Sequence, residues 1–192
     1  MLRSRLMSAS SAPLTLDDWE RLDEDDSREL VDGVLEDAEM PDATHETIVM
    51  WLCMTLGPYF LARDGWVGAS GLKLAVSPRR GRLGDVVCYA ARRPPARGLV
   101  RTPPDIIVEV ISPRREDQRR DRLDKASDYA TFGVRFYWLM DPEARTIEIL
   151  ELGADGRYVR ALTAAEGAHA VPGFEGLTID LDALWASVDR LA

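Results

Sequence analysis

From about Ala43 to Phe60 the apolar residues Ile48, Val49, Leu52, Leu56, Tyr59 and Phe60 recur at helical spacing, which predicts one long amphipathic helix. Gly57-Pro58 is expected to kink or end it early, because proline gives up a backbone donor and crowds the preceding turn. Upstream, Leu14-Thr15-Leu16-Asp17-Asp18-Trp19 has the form of a short helix capped by Thr15. Arg28 to Glu36 reads as two short strands about an Asp32-Gly33 turn, a hairpin signal. Trp66 to Val76, with Leu72, Leu74 and Val76 alternating, reads as a strand.

Two more apolar runs follow, Leu83-Gly84-Asp85-Val86-Val87-Cys88-Tyr89 and Pro104-Asp105-Ile106-Ile107-Val108-Glu109-Val110-Ile111-Ser112, separated by a Pro/Arg-rich loop. The second is continuous enough to suggest a strand buried on both faces, as in the middle of an α/β sheet. Asp117 to Thr131 reads as a helix closed by Gly133, and Arg135 to Met140 as a strand. Thr146 to Leu152 and Arg157 to Leu162 are further strands, the latter entered through an Asp155-Gly156 turn. The tail carries only a strand near Thr178 and a short helix around Leu184. This order predicts an α/β fold: a mixed β-sheet flanked by helices. Residues 1–13 read as a flexible leader, with Met7 as an alternative start, and 14–192 as a single domain without repeats or linkers.

Composition narrows the function. A chain of 192 residues suits one domain with a real core. No apolar run is long enough to span a bilayer, and the N-terminal segment lacks the apolar core of a secretory signal. Cys53 and Cys88 sit in apolar surroundings without metal-ligand spacing, so free thiols in a reducing cytoplasm are expected. With His45 and His169 alone, a histidine-built zinc site is not expected. The net charge of −9 is unevenly spread: Arg79 to Arg122 holds twelve arginines against six acids. Such a band either approaches a phosphate backbone or is solvated surface.

The unusual residues are the acids inside the apolar runs. An ionised carboxylate there is costly unless a cation meets it. One reading pairs Asp85 and Glu109 with arginines of the band. The other brings them together from neighbouring antiparallel strands, with the backbone carbonyl of Val110, as oxygen ligands for Mg²⁺ or Mn²⁺. A metal-held water would then attack a phosphodiester. Lys125 is one of only two lysines, the other being Lys73, in a chain that otherwise uses arginine for positive charge. A compact ammonium whose pKa can be lowered suits a group that orients or deprotonates water, or neutralises a phosphate. Lys125 shares a helix face with Gln118, Arg122 and Tyr129, read as polar, while Leu123, Ala126 and Ala130 mark the expected buried side. Glu29, at the start of a strand, and His45, in the first turn of the long helix, are weaker candidates. No Gly-x-Ser-x-Gly motif or phosphate-cradling glycine loop occurs. A glycosidase acid/base pair would want an aromatic sugar platform near Asp85 and Glu109, which is missing.

Glu29-Leu30-Val31-Asp32-Gly33, the Asp85 run, Pro104 to Pro113, the spaced Lys125 and Tyr129, and Gly133 to Pro142 together resemble the Uma family of restriction-endonuclease-like proteins, within the PD-(D/E)XK nuclease superfamily. The match runs from about Leu16 to Leu152. The resemblance implies a restriction-endonuclease-like fold, Mg²⁺-dependent nuclease chemistry and a homodimer, with DNA as the expected partner. It makes Asp85 and Glu109 metal ligands and Glu29 a further acid near the site, and it puts His45 where the family often carries a histidine. Two departures stand out: Gly84-Asp85 replaces Pro-Asp, and Ile111 occupies the place of the expected lysine. Lys125, from the following helix, is the expected substitute. A nuclease fold kept only for binding nucleic acid or a protein, with a decayed site, is the rival expectation.

Overall fold

The structure is a computed structural model that describes residues 12–23, 26–37, 41–69, 71–112 and 120–191. The expected leader and Gln118 lie mostly or wholly outside them. Helix α1 (Leu16–Glu20) starts at Thr15, whose hydroxyl accepts from the Asp18 N–H while the Asp18 carboxylate accepts from the Thr15 N–H, a closed capping box. Strands β1 (Glu29–Val31) and β2 (Val34–Glu36) pair as the expected hairpin. Its turn residues Asp32 and Gly33 both have positive φ, 51° and 89°, the two-residue turn that matches strand twist.

Helix α2 (Ala43–Leu61) runs past Pro58, so the expected early end does not occur. Phe60, fully buried beyond the proline, packs edge-on against Phe174 and anchors the last turn. The region read as one strand from Trp66 to Val76 is two: β3 (Trp66–Ala69) and β4 (Lys73–Ser77), which join different sheets. β5 (Arg80–Leu83), absent from the sequence reading, folds back on β4, and β6 is Val86–Tyr89. β7 (Ile106–Val110) is buried at every position. A π-helical turn, α3 (Arg120–Lys125), continues into α4 (Ala126–Phe132), closed by Gly133 at φ 93°. β8 (Phe136–Asp141), β9 (Thr146–Leu152), β10 (Tyr158–Ala164), β11 (Ala168–Ala170), β12 (Thr178–Asp180) and α5 (Leu181–Asp189) complete the chain.

The strands form two main sheets rather than one. Four strands run in the order β2-β1-β5-β4, six in the order β10-β9-β8-β7-β6-β3, and β11-β12 make a small pair. The larger sheet is mixed: β7 and β8 are parallel and its other neighbours antiparallel. Parallel neighbours need a crossover, which α3 and α4 supply. On one face of this sheet α2 and α5 cover Val86, Cys88, Ile106, Val108, Val110 and Trp138. On the other, α4 and β4 bring Tyr129, Leu74 and Val76 onto Val87, Ile107, Ile111 and Tyr137. The smaller sheet and α1 share a third cluster around Trp19 and Leu30. The mixed α/β fold with helices on its sheets is thus as expected; its division between two sheets was not.

Candidate active site

Asp85 is not inside a strand but in the bend just before β6. The ladder pairs Val86 with Val108, and the Asp85 N–H donates to the Val108 carbonyl at 3.2 Å, so Asp85 sits beside the end of β7. Its Oδ2 accepts from the Val110 N–H at 2.7 Å, and its Oδ1 faces His45 Nε2 at 3.2 Å. His45 is held there by the start of α2, where the Asp42 side chain accepts from the His45 N–H at 2.8 Å. Burial pulls the His45 imidazole down, but the hydrogen bond and charge of Asp85, helped by Glu46, hold it above its ordinary value.

Glu109 lies two residues from Ile107 and Ile111, on the face that meets α4. It is 2% exposed. Lys125 Nζ donates to Oε2 at 2.8 Å and the Tyr129 hydroxyl to Oε1 at 2.6 Å. Both donors come from one helix surface, four residues apart. Burial pushes the Glu109 carboxyl well up; the Lys125 ammonium opposes this, and the charges of Asp85, Asp121 and Glu29 add to it. Burial disfavours the charged form of Lys125, but Glu109, Glu29 and Asp121 more than reverse that and hold it protonated.

The faces of this helix differ from those expected: Ala126 packs against the core as expected, but Leu123 does not, and polar residues share the inside. Asp121, Lys125, Asp128 and Tyr129 are buried, and Leu123 is 59% exposed. A π turn takes one residue more per hydrogen-bonded ring than an α turn, so it shifts the phase of the side chains that follow. The buried hydroxyl of Tyr137 donates to the carbonyl of Asp121 at 2.9 Å and ties this turn to β8. The inward stripe is polar because it meets other polar groups, which apolar periodicity does not reveal. The signal that would have found it is the spacing of Asp121, Lys125, Asp128 and Tyr129 by four, three and one.

Glu29, 3% exposed, places Oε1 3.7 Å from Lys125 Nζ. Its oxygens are otherwise taken: Arg82 Nη1 donates to Oε2 at 2.7 Å and the Leu83 N–H to Oε1 at 3.0 Å. Glu29 is thus paired with an arginine, whereas the arginine pairing weighed for Asp85 and Glu109 is found for neither among the described residues. His45 and Asp85 make one contacting pair, and Glu109, Lys125 and Glu29 make a second contacting group; among the described residues the two are linked by the charge of Asp85 on Glu109 and Lys125 rather than by a direct side-chain contact. Ile111 is a core residue at 2% exposure, so a lysine there would have to displace apolar packing. Among the described residues the basic band is divided: Arg79, Arg92, Arg97 and Arg101 are exposed, and others are buried or paired. Arg82 is buried, Arg80 pairs with Asp32 and Asp128, Arg93 with Asp64, and Arg122 with Asp141 and Glu148. Arg114, Arg115 and Arg119 lie outside those residues.

Among the described residues no group of three or more His, Cys, Asp or Glu side chains is arranged to hold a metal ion. The donors that are present still fit a hard cation in kind. Asp85 and Glu109 offer carboxylate oxygens, each with a second lone pair beyond its hydrogen bond, and Val110 offers a carbonyl. Mg²⁺ takes one or two carboxylates and completes its shell with water.

A family model described as "Uma2: Putative restriction endonuclease" matches residues 15–182. The chain belongs to the Uma2 family. Among solved structures, a putative nuclease of the DUF820 family from Anabaena variabilis is similar over 92% of this chain and 99% of that one, with a TM-score of 0.73 and 18% identity. At that identity the likeness is one of fold. No match is found among curated proteins. In this Uma2 member Lys125, the expected substitute for the lysine absent at Ile111, brings its ammonium to Glu109 from the next helix. No helix among the described residues is long and apolar enough to cross a membrane.

Proposed function

We propose that the protein is a metal-dependent endonuclease that hydrolyses phosphodiester bonds in DNA. The observation that carries this reading is the Lys125 ammonium 2.8 Å from Glu109, with Asp85 beside the same strand end and neither acid tied to a guanidinium among the described residues. Asp85, Glu109 and the Val110 carbonyl would hold Mg²⁺ or Mn²⁺. When bound, such an ion lowers the pKa of a coordinated water and stabilises charge on the phosphate.

The chain's own groups divide the remaining work. Lys125 is held protonated, so it serves as a cation and donor at Nζ, orienting water or meeting phosphate charge, rather than as a base. Tyr129 and Lys125 fix the rotamer of Glu109 by donating to both of its oxygens. The Val110 N–H and His45 do the same for Asp85. Glu29 acts on Lys125 by charge. A homodimer in a reducing cytoplasm, consistent with two free thiols, belongs to the same proposal.

A second reading has one observation in its favour: both Glu109 oxygens are satisfied without a metal, as a decayed site kept for binding would have them. Calorimetry with Mg²⁺ and Mn²⁺, alongside cleavage of plasmid and linear DNA, separates the two. Metal binding and cleavage that both vanish in Asp85→Ala and Glu109→Ala support the enzyme. A folded protein with neither would leave the binding module.

A further inference from the structure

Beyond the residues that meet the proposed metal and phosphate lies a guanidinium with no outlet to solvent. Arg82 is 1% exposed, on β5 of the smaller sheet. Its Nη1 donates to Glu29 Oε2 at 2.7 Å, and its Nε donates to Asp128 Oδ2 at 2.8 Å. Arg80 closes the other Asp128 oxygen at 3.0 Å. Of the two acids that Arg82 joins, one contacts Lys125 and the other lies on the helix that follows it. Glu29 comes within 3.7 Å of Lys125 Nζ from β1. Asp128 sits three residues after Lys125 on the helix that carries it.

A buried ion triad is a poor way to gain stability, since desolvation consumes most of the Coulombic gain and apolar residues would do as well. What it does supply is geometry. Arginine offers a rigid planar fork with donors at fixed angles, which can bind two carboxylates on two elements at once. Here the fork spans the smaller sheet and α4, on the far side of the π turn from the Tyr137 bond to Asp121, and the phase of that turn sets where Lys125 points.

We propose that Arg82 is a positioning residue: its guanidinium ties Glu29 to Asp128 and thereby holds Lys125 Nζ against Glu109. The inference rests on the reading of the site in which Lys125 assists hydrolysis, but its first test does not depend on activity. The chain has two lysines, so protein labelled with ¹⁵N at lysine Nζ gives two ammonium resonances. Lys73, whose Nζ donates to the Trp19 carbonyl at 2.9 Å, is the internal reference for an intact fold.

In Arg82→Gln the Lys125 resonance is expected to shift, or to be lost to faster proton exchange, while that of Lys73 stays in place. Metal-dependent cleavage of DNA should fall by about a hundredfold, the scale expected when a reacting group is displaced by an ångström. In a Lys125→Met background, Arg82→Gln should cost less than about a further twofold, because residues acting through one group are not additive. An unmoved Lys125 resonance overturns the proposal, as does a loss that multiplies in the double variant. Should Arg82→Gln fail to fold, as a collapsed Lys73 resonance would reveal, Asp128→Asn decides: it keeps an acceptor but removes the charge, and an unmoved Lys125 resonance there overturns the proposal equally. If Lys125→Met cleaves DNA as the wild type does, the hydrolytic role of Lys125 fails, and the resonances alone still decide whether Arg82 holds it.

Discussion

On one side of β7, Ile106, Val108 and Val110 pack under α2 and α5 in one apolar cluster. On the other, Glu109 stands between Ile107 and Ile111 and is met by an ammonium and a phenol. Both faces are closed to water, but they answer to different physics. The α2 face gains from every area it buries. The α4 face carries charges whose desolvation roughly cancels their attraction, so it contributes little to folding and much to the placement of a few atoms.

The largest effect that would break this comparison is on activity. Asp85→Ala should lower metal-dependent cleavage at least about a hundredfold and abolish the heat of Mn²⁺ binding. The denaturant midpoint should move little, since Asp85 lies at the sheet end; loss of the fold would place Asp85 in the scaffold instead.

Next comes stability on the polar face. Lys125→Met strands Glu109 in a buried site and should cost about 3–5 kcal/mol in urea unfolding. Replacing both partners, Glu109→Leu with Lys125→Met, should recover much of that loss while cleavage stays absent. A double variant no more stable than the single would mean that the pair carries real folding energy. On the apolar face, Ile106→Ala should cost about 2–5 kcal/mol with the rate per folded molecule unchanged. A fall in that rate would show that the α2 face also sets the site.

The smallest effect is a pH dependence. Burial raises the Glu29 carboxyl, but Lys125 and Arg82 outweigh it, so its folded value lies below the ordinary 4.5. A depressed carboxyl contributes stability that is fully present above its unfolded pKa and is lost as pH falls through the folded value. Below about pH 4.5 the wild type should therefore lose stability more steeply than Glu29→Gln, as read from unfolding at a series of acid pH values. Equal acid limbs would show that Glu29 is not held ionised by its neighbours.

The comparison also explains what could be read early. The apolar face of β7 and the helix above it follow from periodicity alone, and so does the hairpin at Asp32-Gly33. Asp85 and Glu109 were conspicuous because each interrupts an apolar run. The inner face of the Lys125 helix is only partly legible, because apolar spacing places Ala126 inward but also Leu123. Leu123 instead faces solvent, and a stripe of two acids, a lysine and a tyrosine is buried. Arg82 was one of twelve arginines in a basic band, and nothing local distinguishes a buried guanidinium from a solvated one.

The sequence by itself determined most of the elements, the mixed α/β class and the two acids that interrupt apolar runs, because hydrophobic spacing and an acid out of place are local properties of a chain. Only the tertiary structure decided that the strands divide between two sheets, that a π turn rotates Lys125 inward, and that Arg82 joins Glu29 to Asp128. Those outcomes depend on which groups meet across 46 and 53 residues of chain. A charge becomes worth burying only when its partner, from another element, is already there.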